Sequence, residues 1–401
     1  MEFGFDENII TLRKEIRQFV KTELPPGWIM YRLEEESSDE DWEFAMSISR
    51  KLSEKGWLTM SWPKEYGGKG ATLWEQMAYR EEAGYWGIPG VSMGIGGVDW
   101  IGPSLMIYGT DEQKEKYLPL IASGGPDGVW CTGYSEPDAG SDFANIQCRA
   151  TKKGNEYSIN GQKIWTSCAH RARWCWLAAR TNFNVAKKNQ GISLFIVDMK
   201  SPGITVNPLI SYTGHHIFNE VFFDDVRVPT SDLVGEEDRG WYCLMQALAH
   251  ERGGIGAMNA GSFRRLLVEL TQYVKETQHE GKPLSRNPII RQKLADSAIE
   301  VEMLRMLALE TTWKMSQGIT VIHEPSRDKV FGTDVLERLA ITGTEILGAY
   351  SQMEPDSRWA RIRGGIQNIY LIFPAVSIAG GTDDIERNII GQFGLGLPRS
   401  Y

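Results

Sequence analysis

The chain has 401 residues, too many for one ordinary core and enough for two or three packed domains. Hydrophobic residues make up 42% and charged residues 24%, near globular averages, which excludes a disordered chain. Acidic side chains number 52 against 43 basic ones, the formal charge is −9, and no run of five or more Lys/Arg offsets it. Nucleic acid and anionic membranes are therefore not expected as partners. Met1–Asn8 carries three acids and no apolar core, and apolar stretches such as Ile369–Val376 fall far short of a membrane span. Cys131, Cys148, Cys168, Cys175 and Cys243 form an odd set without a CxxC pair, which argues against a disulfide framework or a zinc site. A soluble, cytoplasmic protein with reduced thiols is expected.

Up to about residue 125 the chain reads as helices. Ile9, Leu12, Ile16, Phe19 and Val20 recur at helical spacing. Thr110 followed by Gln113 forms a capping box opening a helix over Asp111–Leu118, with Pro119 near its end. From about 126 to 238 strands are expected, among them Tyr157–Ile159, Trp174–Ala179, Ile192–Val197 and Glu220–Val228. Turn signals at Lys153-Gly154-Asn155, Asn160-Gly161 and Ser201-Pro202-Gly203 divide them, which predicts a small antiparallel barrel or sandwich. From 239 to 401 the pattern is helical again, with a long helix over Leu244–Glu276. A second helix starts at Asn287-Pro288, buries Ile290, Leu294, Ala298, Val301 and Leu304, and stops near Gly318. The predicted domains are 1–125, 126–238 and 239–401.

Three segments have the composition of a ligand site. Cys131-Thr132-Gly133-Tyr134-Ser135-Glu136-Pro137-Asp138-Ala139-Gly140-Ser141-Asp142 leaves a strand for a loop of small and polar residues. It is either a polar turn at a strand end or a loop whose backbone approaches a flat or anionic ligand. In Asn160-Gly161-Gln162-Lys163-Ile164-Trp165-Thr166-Ser167 a tight turn is expected to lead into a strand that presents an indole beside hydroxyls. That Trp is one of 14 and could equally belong to a core. In Ser377-Ile378-Ala379-Gly380-Gly381-Thr382-Asp383-Asp384-Ile385-Glu386-Arg387 a helix opens whose free N–H groups suit phosphate or carbonyl oxygens, with Thr382 as its cap.

Together these segments resemble the signatures of the acyl-CoA dehydrogenase family. Further matches are Trp62-Pro63-Lys64-Glu65-Tyr66-Gly67-Gly68, Tyr108-Gly109-Thr110-Asp111-Glu112-Gln113-Lys114 and Phe218-Asn219-Glu220-Val221-Phe222-Phe223-Asp224-Asp225-Val226-Arg227-Val228-Pro229. They follow the family's order across nearly the whole chain. The resemblance implies an α+β protein: an N-terminal helical domain, a middle β domain and a C-terminal helical bundle. It also implies bound FAD, an acyl-CoA substrate and electron-transfer flavoprotein as acceptor. By the same resemblance Tyr134, through its backbone, and Ser135 meet the flavin edge, Ser141 the FAD pyrophosphate, Trp165 and Ser167 the flavin ring, and Thr382 and Asp384 the ADP half.

Dehydrogenation between Cα and Cβ needs a base for the α-proton and hydrogen bonds for the thioester oxygen. Many family members place the base, a Glu, where this chain has Gly380. A second family arrangement puts it on a long C-terminal helix before an Arg, which here is His250-Glu251-Arg252. Glu251 is therefore the expected base, Gly380 a backbone donor to the carbonyl, and Arg252 an ordering group for Glu251 or a contact of the CoA phosphates. Asp99, the single acid in an apolar, Gly-rich stretch, is the second candidate base. His215-His216 is expected as a loop pair near the pocket.

The chain departs from the family where Arg and Phe usually reach a neighbouring subunit's FAD. Thr277 and Glu280 stand there, and Glu345 replaces a customary Gln. These changes point to a different FAD grip or a heteromeric partner, beside the homodimer or homotetramer usual for the family. The ending Ala379-Gly380-Gly381-Thr382 resembles a bacterial branch whose members act on bulky or cyclic CoA esters, and Gly380 leaves room near Cα. Rival readings are an acyl-CoA oxidase or flavin monooxygenase on the same fold, or a FAD-poor, non-catalytic partner subunit.

Overall fold

The computed structural model describes residues 5–28, 38–94 and 96–398, with the backbone but not the side chains of 246–253. Five helices come first: α1 (Glu7–Glu23), α2 (Asp39–Glu54), α3 (Leu73–Trp86), α4 (Gly102–Tyr108) and α5 (Asp111–Ala122). Then follow β1 (Trp130–Gly133), β2 (Arg149–Lys153), β3 (Glu156–Lys163), β4 (Trp174–Arg180), β5 (Ile192–Asp198), β6 (Ile204–Ile210), β7 (His216–Pro229) and β8 (Leu233–Val234). Helix α6 (Gly240–Glu276), the small strands β9 (Gln278–His279) and β10 (Lys282–Pro283), and helices α7 (Pro288–Ser316), α8 (Glu324–Leu347), α9 (Gly365–Val376) and α10 (Asp383–Ile389) complete the chain.

Local chemistry accounts for most element ends. The Thr110–Gln113 capping box forms as expected, and the Gln113 amide also donates to the carbonyls of Ser231 and Leu233 at 2.7 and 2.9 Å. Helix α5 runs through Pro119 to Ala122 rather than stopping before it. A proline this near a helix end removes one internal hydrogen bond, and the last turn closes beyond it through Ser123 N–H to Pro119 O. Asn287 caps α7 through the N–H groups of Ile289 and Ile290. On that helix Ser297, Val301, Leu304 and Ala308 are buried and Ala298 is exposed. The expected stripe stepped by four, four, three and three, whereas the buried face advances by alternating fours and threes and so passes through Ser297 instead of Ala298.

The strands form one sheet in the order β6-β7-β3-β2-β4-β5-β8, with β1 beside β4. It is mixed, not antiparallel as expected: β1 and the start of β2 both pair with β4 in parallel. Alternation along single strands does not reveal direction. The turn expected at Asn160-Gly161 is instead a bulge within β3, which carries on to Lys163. Gly161 takes φ +149°, and a Cβ there would lie 2.7 Å from Cys148 Cα, so the glycine serves close backbone approach rather than a hairpin. The sheet core gathers Tyr157, Ile159, Leu177, Phe195, Val197 and Val221, among others, around Cys131 and Cys175. All five cysteines are buried and none forms a disulfide.

Two compact units result. One comprises Glu34–Ala71 and Pro89–Glu251 and contains the sheet; the other comprises Met1–Leu33, Thr72–Ile88 and Arg252–Tyr401 and is helical. In the helical unit Leu266, Leu270, Leu304, Leu336, Leu339 and Ile366 share one core. There α1 packs on α3 and α3 on α7. Arg13 donates to both Glu81 and Glu82 of α3, and Arg305 to Glu81 at 2.7 Å. Burial alone would push the Glu81 carboxyl up, but Arg13 and Arg305 outweigh it and hold it below its usual value. Among the described residues no helix is long and apolar enough to cross a membrane.

Candidate functional site

The first candidate segment leaves β1 at Gly133 and turns tightly, with reciprocal backbone hydrogen bonds between Glu136 and Ala139 at 3.1 and 3.0 Å. Glu136 was not among the expected site residues, yet it organises the loop. Its carboxylate accepts the N–H groups of Gln147 and Cys148 at 2.6 and 2.8 Å and the Lys163 ammonium at 2.7 Å. Lys163 is fully buried and also donates to Tyr134 O at 3.0 Å. A buried charge persists only when paired and hydrogen-bonded on every side. Ile164 N–H adds a bond to Ser135 O at 2.9 Å. Both loop carbonyls are thereby taken, and the Tyr134–Ser135 segment is tied to the end of β3.

Immediately beyond that tie lies Trp165. It follows β3 on a turn instead of entering a strand, with φ +59° and 60% of its surface exposed. Phe218 meets it edge to face with ring centroids 5.9 Å apart. Ser167 is half-buried on the same turn, and Cys168 takes φ +60°. Ser141 is exposed at the far end of the first loop, before Phe143, whose ring stacks on Trp241 of α6. The structure thus brings Tyr134, Ser135, Trp165 and Ser167 to one end of the sheet. What this edge offers a ligand is an open indole face and the hydroxyls of Ser135 and Ser167. That donor set suits a planar ring bordered by acceptor atoms, as a flavin is.

The third segment lies in the helical unit. Ser377–Gly380 is a turn after α9, and Gly380 and Gly381 take φ +67° and +98°. At +67° a side chain is disfavoured, which fits glycine at this position. Among the described residues neither glycine N–H meets an acceptor. Thr382 caps α10 by accepting the N–H of Ile385 at 3.2 Å, and Asp383 N–H goes to Ser377 O, so the free N–H groups expected at this helix start are partly used. Lys329 of α8, not anticipated from the sequence, donates to Asp383 at 2.5 Å and to Ser377 O at 3.3 Å, closing the turn. Asp384 points to solvent, with Arg387 3.9 Å away.

Glu251 and Arg252 stand on α6, and their side chains lie outside the described residues. Asp99 is half-buried on a π-type turn, Gly97–Ile101, whose Val98 carbonyl accepts the Trp62 indole N–H at 3.0 Å. Such turns recur at functional sites. His216 is not in a loop: it opens β7 and stacks on His170 with centroids 3.9 Å apart. Burial, then the neighbouring His216, lowers His170 to about 4, so its ring is neutral at pH 7. At the departures from the family, Glu280 (φ +52°) and Gly281 (φ +75°) form the two-residue turn of the β9–β10 hairpin, and Glu345 pairs with Lys293 of α7.

Comparison with known proteins agrees with this architecture. The acyl-CoA dehydrogenase N-terminal, middle and C-terminal domain families match residues 6–125, 131–226 and 238–395. The chain is 34% identical to acyl-CoA dehydrogenase FadE26 of Mycobacterium tuberculosis over 97% of both chains. It is 32% identical to acyl-CoA dehydrogenase IpdE1 of the same organism over 90% of both. Among solved structures, the Tcur3481-Tcur3483 steroid ACAD superposes over 100% of both chains at a TM-score of 0.89 and 32% identity. The ChsE4-ChsE5 complex from Mycobacterium tuberculosis does so over 100% of both at 0.88 and 33%. Matches over all three domains and at this identity leave one assignment: the chain belongs to the acyl-CoA dehydrogenase family of oxidoreductases.

Proposed function

We propose that this enzyme introduces a double bond between Cα and Cβ of a bulky, branched or alicyclic acyl-CoA thioester. FAD is its oxidant, Glu251 its base, and electron-transfer flavoprotein the acceptor. The observation that carries the reading is the open Trp165 indole, fixed on left-handed backbone beside the tied Tyr134–Ser135 loop. Bound FAD supplies the acceptor for the hydride leaving Cβ. The chain's own residues seat the ring and handle the proton. Trp165 lies against the ring, Ser135, Ser167 and the Tyr134 backbone bond its edge, Ser141 meets the pyrophosphate, and Thr382 and Asp384 serve the ADP half. Glu251 takes the α-proton, and the Gly380 N–H donates to the thioester oxygen as enolate charge develops there. Arg252 orders Glu251 or meets the CoA phosphates.

Support for a bulky acyl group comes from the side-chain-free Gly380 backbone and from similarity to a steroid ACAD. Thr277, Glu280 and Glu345 depart from the family's usual residues, and one relative was solved as a two-protein complex, which favours a heteromeric assembly. Co-purification of a second homologous subunit tests that point.

The test of function is anaerobic titration of the purified protein with straight, branched and cyclic acyl-CoAs while the oxidised flavin band is followed. Bleaching by cyclic esters is expected. Glu251→Gln should slow that bleaching by about 10²–10⁴-fold. Asp99→Asn causing the larger loss would move the base to the π-type turn. A colourless protein, or a yellow one that no thioester bleaches, would overturn the proposal.

A further inference from the structure

Asn219 belongs to a segment with no part in the chemistry above, yet it is fully buried and every polar atom of its side chain is engaged. Its amide nitrogen donates to Thr166 O at 2.9 Å and to His170 Nδ1 at 3.2 Å, with Ile217 O at 3.4 Å. Its amide oxygen accepts from His216 Nε2 at 2.7 Å. The carbonyls of Thr166 and Ile217 can only accept, so the amide nitrogen must face them; His170 then accepts at Nδ1 as its Nε2–H tautomer and His216 donates from Nε2. On the backbone, Thr166 N–H bonds Asn219 O at 3.0 Å and Cys168 N–H bonds Ile217 O at 3.0 Å.

Thr166 is therefore clamped at both its N–H and its C=O by one residue of β7. It sits one residue after Trp165 and two before Cys168, both non-glycine residues in left-handed conformation. Such backbone persists only where its surroundings over-determine it. Without the clamp, the turn has little reason to keep the indole open instead of folding it down.

We infer that Asn219, oriented by His216 and His170, is the positioning residue that locks the 165–168 turn and so holds Trp165 and Ser167 in place for the flavin ring. The inference rests on the proposed placement of those two residues beside FAD.

The experiment uses the full chain stripped of flavin and reconstituted with FAD. Three quantities are read: the FAD dissociation constant, the visible circular dichroism of bound flavin, and the melting midpoint of the apoprotein. Asn219→Leu, of similar size but unable to hydrogen-bond, is expected to weaken FAD about tenfold, because it strands a buried carbonyl. It should also alter the flavin dichroism. Trp165→Phe should change both readouts, and the double variant should bind no worse than the poorer single, since both act through one turn. His216→Phe keeps the ring stack but removes the donor that orients the amide. It should shift both readouts the same way by a smaller factor, with a smaller drop in apoprotein midpoint than Asn219→Leu, and it carries the test if Asn219→Leu does not fold. Additive losses in the double variant overturn the inference. So do Asn219→Leu and His216→Phe proteins with wild-type affinity and dichroism while Trp165→Phe changes both; the proposed function then stands. If Trp165→Phe also changes nothing, the placement of the flavin fails and the inference with it.

Discussion

The Tyr134–Ser135 loop and the Ser377–Thr382 turn are each closed by one lysine, but in different surroundings. Lys163 is fully buried and faces a carboxylate that already accepts two backbone N–H groups. Lys329 is nearly buried and faces Asp383 at the mouth of a helix, beside exposed glycine backbone. The first arrangement leaves the loop no second conformation that satisfies its charges, which suits the flavin seat proposed for it. The second fixes where the turn begins and ends, while Gly380 and Gly381 present backbone without side chains. The two turns therefore use the same residue type to different ends: one lysine is locked inside a carboxylate cage, the other closes a turn whose glycine backbone stays open.

The largest expected effect comes from breaking the first seat. Glu136→Ala leaves the Lys163 charge buried without its partner, and chemical denaturation should show a loss of about 3–5 kcal/mol. A loss under about 1 kcal/mol would mean that Lys163 is not isolated from water, and the contrast between the two lysines would dissolve. Lys329→Met should cost less, about 1.5–3 kcal/mol for its charged hydrogen bonds. It should raise KM for acyl-CoA through the Gly380 turn, with a flavin loss smaller than that of Glu136→Ala; a loss equal to it would show that the two segments grip FAD equally.

A pH scan of thermal stability separates the two units. His170, in the sheet unit, is lowered from 6.5 to about 4 by burial, with His216 and Arg171 adding and Asn219 and Asp39 opposing. The unfolded chain binds the extra proton between these values, so stability should fall as pH drops from about 6.5 to about 4. His170→Gln should flatten that part of the curve. Glu81 and Glu82, in the helical unit, titrate below their usual 4.5 when folded. Their contribution is complete above about 4.5 and is lost as pH falls through the depressed values. A curve that His170→Gln leaves unchanged would contradict the neutral ring. The smallest effect lies outside both segments: Glu280→Asn, at φ +52° in the β9–β10 turn, should gain at most about 1 kcal/mol, measured as a rise in melting midpoint.

Element type and order were legible in the residues because capping chemistry and hydrophobic period are local. Thr110–Gln113, Asn287-Pro288 and the apolar stripe of α1 all appear where the pattern places them. The direction of β1 was not legible, since a strand's side-chain alternation is the same whichever way its neighbour runs. Nor was Asn160-Gly161 legible as a bulge: the same dipeptide makes a hairpin when two strands end there and a bulge when one strand continues.

The sequence by itself determined which family this chain belongs to, the order of its helical and strand-rich regions, and that residue 380 carries no side chain. Those properties reside in contiguous residues. Only the tertiary structure decided which side chains hold the candidate site in place. Glu136 meets Lys163 across 27 positions, Thr166 meets Asn219 across 53, and Lys329 meets Asp383 across 54. Such pairings depend on strand register and helix packing, which no local pattern encodes.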